Sequence, residues 1–228
     1  MNKNFIRVGL ILLILLVFTN IVTAVDLDSK NRDVQYVKTI IERSKKVVDK
    51  LGIKDSSVYK NVTNIVANRY FKLNDIYAKR DSGLLKIKKS ELLDSIKNNA
   101  ILAVQNEKES ALYRSHFAFS SELSLYLSEK QIEIIKDGIT YGVVKVTYDS
   151  TLDMIPSLKK DEKAQILTWL KEAREFALDA ENSDKKHEAF GKYKGKINNY
   201  LAKRGYDLVK ERAAWYERIK LRDAKKKK

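Results

Sequence analysis

With 228 residues, one proline, eight glycines and no cysteine, the chain is long enough for one domain with a real core or two small ones, and it excludes disulfides, thiol chemistry and a lipid-modified N-terminal cysteine. Two histidines without cysteine make a zinc site an unfavoured expectation, and no cofactor or metal is expected. Forty-five Lys and Arg against thirty Asp and Glu give a formal net charge of +15, which suits an anionic partner or serves solubility alone.

Lys3 and Arg7 precede an apolar run from Val8 to Phe18, and Val22 and Ala24 then stand at the positions a signal peptidase reads. The pattern predicts an export signal over residues 1–24, cut after Ala24. An uncut anchor is the competing reading, because Val8 to Val25 is 18 residues, near the lower limit for crossing a bilayer. Thr19, Asn20 and Thr23 interrupt that run, which favours cleavage and argues against stable membrane insertion of the mature chain. Residues 25–224 are then a helical domain and 225–228 a basic tail, in the periplasm or outside the cell. Nucleic acid is not an expected partner there; acidic polysaccharide, lipopolysaccharide and phospholipid headgroups are. The oligomeric state is left open.

From Val37, apolar residues recur at three and four up to Leu51, and Gly52 stops this first helix. Asp55 caps a second, whose stripe from Val58 to Tyr77 is expected to end before Asp81-Ser82-Gly83. A long helical stretch follows, from Leu92 past Phe117 and Phe119, with a break expected between Asn106 and Ser121. Ser128 and Gln131 form a capping box ahead of Ile132 and Ile135. The β-formers between Thr140 and Tyr148 have no partner strand, so helix or an irregular crossover is favoured there. Pro156 breaks the chain. Helices are then predicted from about Asp161 to Ala180, from Ser183 to Arg204 and from Asp207 toward Leu221, with Trp169, Phe176, Phe190, Ile197 and Leu201 in the core. The reading is all-α, a single-domain bundle of six or seven helices.

No nucleotide loop, nucleophile elbow, zinc motif or calcium loop is present, so unusual local composition is the guide. On a helix, His187, Gly191, Lys194, Gly195 and Asn198 gather on one face beside the stripe of Phe190, Tyr193 and Ile197. Two mid-helix glycines cost about 1 kcal/mol each relative to Ala, so something should approach that backbone: a second helix is the commoner cause, a ligand cradle the alternative. Lys136-Asp137-Gly138-Ile139-Thr140-Tyr141-Gly142 reads as a helix end and turn, or as backbone opened to a ligand. Arg174 borders an apolar stripe, which suits a buried ion pair or recognition of a carboxylate or phosphate. Arg69, Asn74, Arg80 and Asp81 read as a solvated helix edge. The candidate ligand-binding set is Lys136, Asp137, Tyr141, Arg174, His187, Lys194 and Asn198, and no catalytic residue is assigned.

The stretches IKDGITYGVVKVTY (135–148) and WLKEAREFALDAENSDKKHEAFGKYKGKINNYLAKRGYDLVKE (169–211) resemble the domain of unknown function 3826 family, exported helical proteins of polysaccharide-degrading Gram-negative bacteria. The chain departs from the family pattern at Lys145 and Lys159, where the family has a proline and a helix-capping threonine. The resemblance implies a role near glycan capture or breakdown, without a settled activity. Three functions follow as expectations: an accessory or binding protein for an acidic glycan, a polysaccharide-degrading lyase or hydrolase using Arg174, His187, Lys194 and Tyr141, or an envelope partner-binding protein.

Overall fold

The computed structural model describes residues 24–226, so the expected signal segment before Ala24 lies outside the described residues. Those residues form helices only: α1 Val34–Val48, α2 Ser56–Lys89, α3 Asp94–Ser124, α4 Glu129–Ile139, α5 Val143–Met154, α6 Lys160–Leu178, α7 Ser183–Lys203 and α8 Leu208–Lys226, with a 3-10 turn at Asp49–Leu51. The all-α class holds, with eight helices in place of six or seven. The segment Thr140 to Tyr148 opens a helix of its own because Tyr141 and Gly142 both take positive φ, at 62° and 67°. Gly142 N–H then bonds the Asp137 carbonyl and Tyr141 N–H the Gly138 carbonyl, the two bonds of a Schellman stop that ends α4.

Local caps set most boundaries. The Asp55 carboxylate accepts from the N–H groups of Ser57 and Val58 at the start of α2, and the Ser128/Gln131 box opens α4. Gly52 and Gly205, at φ 60° and 93°, close the helices before them. Ahead of α1, Asn61, Asn64 and Asn68 on α2 bond the backbone of residues 25–28, so this leading segment is stitched along α2.

Two expectations fail in the second and third helices. Asp81-Ser82-Gly83 does not stop α2, and α3 runs unbroken through residues 106–121. A Cβ at Gly83 would lie 3.1 Å from Val104 Cγ2, so this glycine lets α2 and α3 come together rather than turning the chain. The result is an antiparallel hairpin of helices, α2 being about 50 Å long.

One core gathers Val48, Val62, Ile65, Leu123 and Ile135 from α1 to α4; a second gathers Ile155, Ile166, Leu170, Phe190 and Leu201 from the later helices. Trp169 is only half-buried and Phe176 is exposed, against the expectation that both are core. Arg174 explains this: it is buried toward α4, and Phe176, two residues and about 200° on, must then face outward. In the second core Glu162 is also buried, where burial would raise its pKa, but the Tyr206 hydroxyl, Lys159 N–H and Arg204 hold it down at about 2.

Glycines separate into two kinds. A Cβ on Gly138 would sit 2.7 Å from Val47 Cγ1 of α1, whereas Gly191 and Gly195 face open space, so no second helix packs on them as expected. Gly138→Ala should therefore destabilise by about 1–3 kcal/mol through overpacking. Gly191→Ala and Gly195→Ala should each stabilise by about 0.5–1 kcal/mol, since only the helical cost of glycine remains. Urea unfolding of the three variants checks both signs.

Candidate functional site

A chain of ion pairs crosses four helices. Arg174 of α6 reaches Glu133 at 2.7 Å and Asp137 at 2.8 Å on α4, and the neighbouring Glu175 accepts from Lys136 at 2.9 Å. Burial alone would raise the Glu175 carboxyl, but Lys136 and Arg174 outweigh it and hold it below the usual range. His116 of α3 sits next in line, with Nε2 3.5 Å from Glu175 and Nδ1 3.0 Å from Asp179. Asp179 ends α6 and also receives Arg69 of α2, while the Tyr77 hydroxyl donates to its carbonyl at 2.7 Å. Arg69 is 5% exposed, so it is no solvated helix edge. Burial pulls its pKa down although Asp179 opposes the shift.

Beside Asp179, between α3 and the end of α6, lies a cleft of about 670 Å³ lined by Tyr77, Asn106, Glu109, Ser110, Tyr113 and Phe176. Two of its aromatics face water, Tyr113 at 68% exposed and Phe176 at 62%, and outside the lining Phe117, one helical turn past Tyr113, is 56% exposed. Tyr113 and Phe117 pack edge to face at 4.9 Å, and Phe176 leans on Tyr193 at 6.2 Å. Burial and then the nearby Glu181 and Asp179 push Tyr77 up to about 12, so its hydroxyl stays a donor. Exposed rings beside amide, hydroxyl and carboxylate groups make a surface that can stack an apolar ring face and hydrogen-bond its edge. Among the described residues no cluster of three or more His, Asp or Glu could hold a metal ion.

The seven residues proposed from sequence fall into three groups. Lys136, Asp137 and Arg174 share the ion-pair chain, which gives Arg174 its buried pairing. Tyr141 and His187 stack on each other, centroids 5.8 Å apart. Lys194 and Asn198 are exposed on α7, with no hydrogen bond or ion pair among the described residues. The lyase set of Arg174, His187, Lys194 and Tyr141 is therefore not gathered by shared contacts. Tyr113, His116 and Asp179 escaped the sequence reading; the i,i+4 pair Tyr113/Phe117 was the available signal.

Lys186 also escaped notice, one residue before His187. It is 5% exposed, donates to the Ile139 carbonyl at 3.1 Å, and lies 5.6 and 5.5 Å from the Tyr70 and Tyr141 ring centres. Burial, then Arg43 and Arg69, lowers its pKa to about 8 from an ordinary 10.5. Between those values the unfolded chain binds the proton that the native amine has lost, so stability should rise with pH from about 8. Burial raises Tyr70 to about 12, which works the other way only above pH 10. Urea midpoints at pH 7.5 to 10 should climb for the wild type, and climb less for Lys186→Met; equal slopes would refute the assignment.

No helix among the described residues is long and apolar enough to cross a membrane. Residues 37–221 match the family described as Protein of unknown function (DUF3826). The chain belongs to the DUF3826 family. The match begins in α1 and ends in α8, so the ion-pair chain and the aromatic cleft both lie within the family's span. A comparison with curated proteins found no match.

Proposed function

We propose that this DUF3826 protein is an exported, carbohydrate-associated binding protein that holds an acidic glycan in the cleft between α3 and α6. The observation that carries the reading is the exposure of Tyr113 and Phe176 around groups that bond sugar hydroxyls, with exposed Phe117 packed on Tyr113 next to the cleft. Large aromatics are costly to leave in water unless something covers them, and two lining one cleft with a third beside them make an apolar patch with a use. Sugar rings present one apolar face and a polar edge, which matches rings flanked by Asn106, Ser110 and Glu109. The formal charge, +15 for the whole chain and +13 without Lys3 and Arg7 of the signal, favours an acidic polymer over a neutral one.

A lyase or hydrolase reading has one observation in its favour. His116, held by Asp179 at the cleft margin, is a residue type suited to proton transfer. Calorimetry with polygalacturonate, and absorbance for unsaturated products over the same incubation, separates the two. Binding without product is expected, and Tyr113→Ala/Phe176→Ala should weaken binding at least tenfold, about 1.4 kcal/mol. Unchanged affinity in that double variant would reject the cleft, and product formation lost in His116→Ala would establish the enzyme instead.

A further inference from the structure

On the other side of α3 its seam with α2 is open. Two clefts of about 420 and 480 Å³ adjoin there, sharing Lys72, Ala111 and Arg114. Small residues cause the opening, since Ala111, Ser115 and Ala118 of α3 are too short to fill it.

Seven Lys or Arg side chains line the two clefts against four Asp or Glu. Ion pairs take up most of both: Asp28 and Asp75 are engaged by Arg32 and Glu107 by Lys79, while Arg69, Arg80 and Lys108 have carboxylate partners of their own, which leaves Lys72, Lys86 and Arg114 against Glu122. Lys72 and Lys86 have neither an ion pair nor a hydrogen bond among the described residues, and Arg114 bonds only the Ser110 hydroxyl, at 3.3 Å. Glu122 is the remaining carboxylate. Burial raises its pKa even with Arg69 nearby.

The floor of the first cleft holds a further cation. Arg69 lies there almost fully buried, its terminal nitrogens taken by Ser115 and Asp179, and its Nε has no acceptor. This unmatched guanidinium donor lies beneath a groove whose rim cations are unpaired, but its burial keeps it from touching a ligand, so the rim supplies the contacts.

The layout selects a polymer over a small ion. Lys72, Lys79 and Lys86 recur every seven residues on one face of α2, about 10.5 Å apart, so the charges form a line and not a cup. The Lys79–Glu107 pair along that line is exposed on both sides, and an incoming carboxylate can replace Glu107 at little cost. We infer that the α2/α3 seam is a second binding site, which takes a linear polyanion and reads the carboxylates of a uronic-acid polysaccharide through Lys72, Lys86 and Arg114. For the class of ligand this rests on the proposed function; Lys72, Lys86 and Arg114 do not line the aromatic cleft, although Lys108 borders both.

The test compares polygalacturonate with its fully methyl-esterified form, the same chain without charge, as ligands of the wild type, of Lys72→Gln/Lys86→Gln/Arg114→Gln and of Tyr113→Ala/Phe176→Ala. The three basic positions are exposed, so the triple variant should keep the wild-type urea midpoint. The wild type is expected to favour the charged form at least thirtyfold at 50 mM salt, with a steep decline as salt rises. The triple variant should bind both forms alike with a flattened salt dependence, while the aromatic variant loses affinity for both and keeps the preference for charge. A preserved charge preference in the triple variant would overturn the seam as the reader of carboxylates, even with the aromatic cleft upheld. An unaffected aromatic variant with a neutralised triple variant would overturn the cleft and leave the seam. Equal affinity of the wild type for duplex DNA and polygalacturonate at 150 mM salt would show general polyanion capture and defeat the uronate assignment, and no binding of polygalacturonate at all would defeat both.

Discussion

Phe190→Ala is expected to remove about 3–5 kcal/mol of stability, a large part of what a domain of this size holds. Phe190 is 1% exposed and lies in the second core with Ile166, Leu170, Ile197 and Leu201. Shortening it to Ala deletes the ring's burial and leaves a cavity that α6 and α7 cannot close, since both are held by the same core. Phe176→Ala is the internal control: identical chemistry, one helix away, on a ring that faces water. It should cost less than about 1 kcal/mol. Urea unfolding of both proteins measures the contrast, and a difference under 1 kcal/mol between them would mean that the packing of α6 on α7 is wrong.

That pair also shows where the sequence was and was not legible. Boundaries written in local chemistry were readable: the Asp55 cap, the Ser128/Gln131 box, Pro156 and the glycine stops act on residues three or four away. Gly83 was not, because a glycine can end a helix or admit a neighbour, and only the position of Val104, 21 residues on, decides which. Phe176 follows the three-and-four spacing of Ile166, Trp169, Leu170 and Ala173, so periodicity alone places it in the core. Its orientation is set by Arg174, whose carboxylate partners on α4 lie 37 and 41 residues earlier. The glycines of α7 asked for a neighbour that the fold does not supply.

The site was harder still. Tyr113 and Phe117 have the spacing of an ordinary apolar stripe, and only the fold shows that no helix covers them. Arg69 and Asp179 are 110 residues apart, so nothing local announces their pairing. Lys186 is one of several lysines in a run, distinguished only by which of them turns inward beneath Tyr141. Such contacts are tertiary in origin, and periodicity along one helix carries no record of them.

Asp179→Ala should cost about 3 kcal/mol, because it strands a guanidinium that the fold has already removed from water. The side chain of Arg69 is 3% exposed and that of Asp179 23%, so the cation depends on the carboxylate far more than the reverse. Ser115 still accepts from Arg69 in the variant, but a hydroxyl supplies no charge to balance it. His116 loses its Nδ1 partner at the same time, which loosens α3 against α6 at the margin of the aromatic cleft. Asp179→Asn, keeping an acceptor of the same shape, should fall between wild type and Ala. Arg69→Met removes the buried charge itself, so the double variant Arg69→Met/Asp179→Ala should be more stable than Asp179→Ala alone. Denaturant unfolding of the four proteins at pH 7 completes a double-mutant cycle, with a coupling above about 1 kcal/mol expected for groups in direct contact. Additive losses would mean that Arg69 finds water when Asp179 is gone, and that the floor of the α2/α3 seam is wetter than its burial indicates.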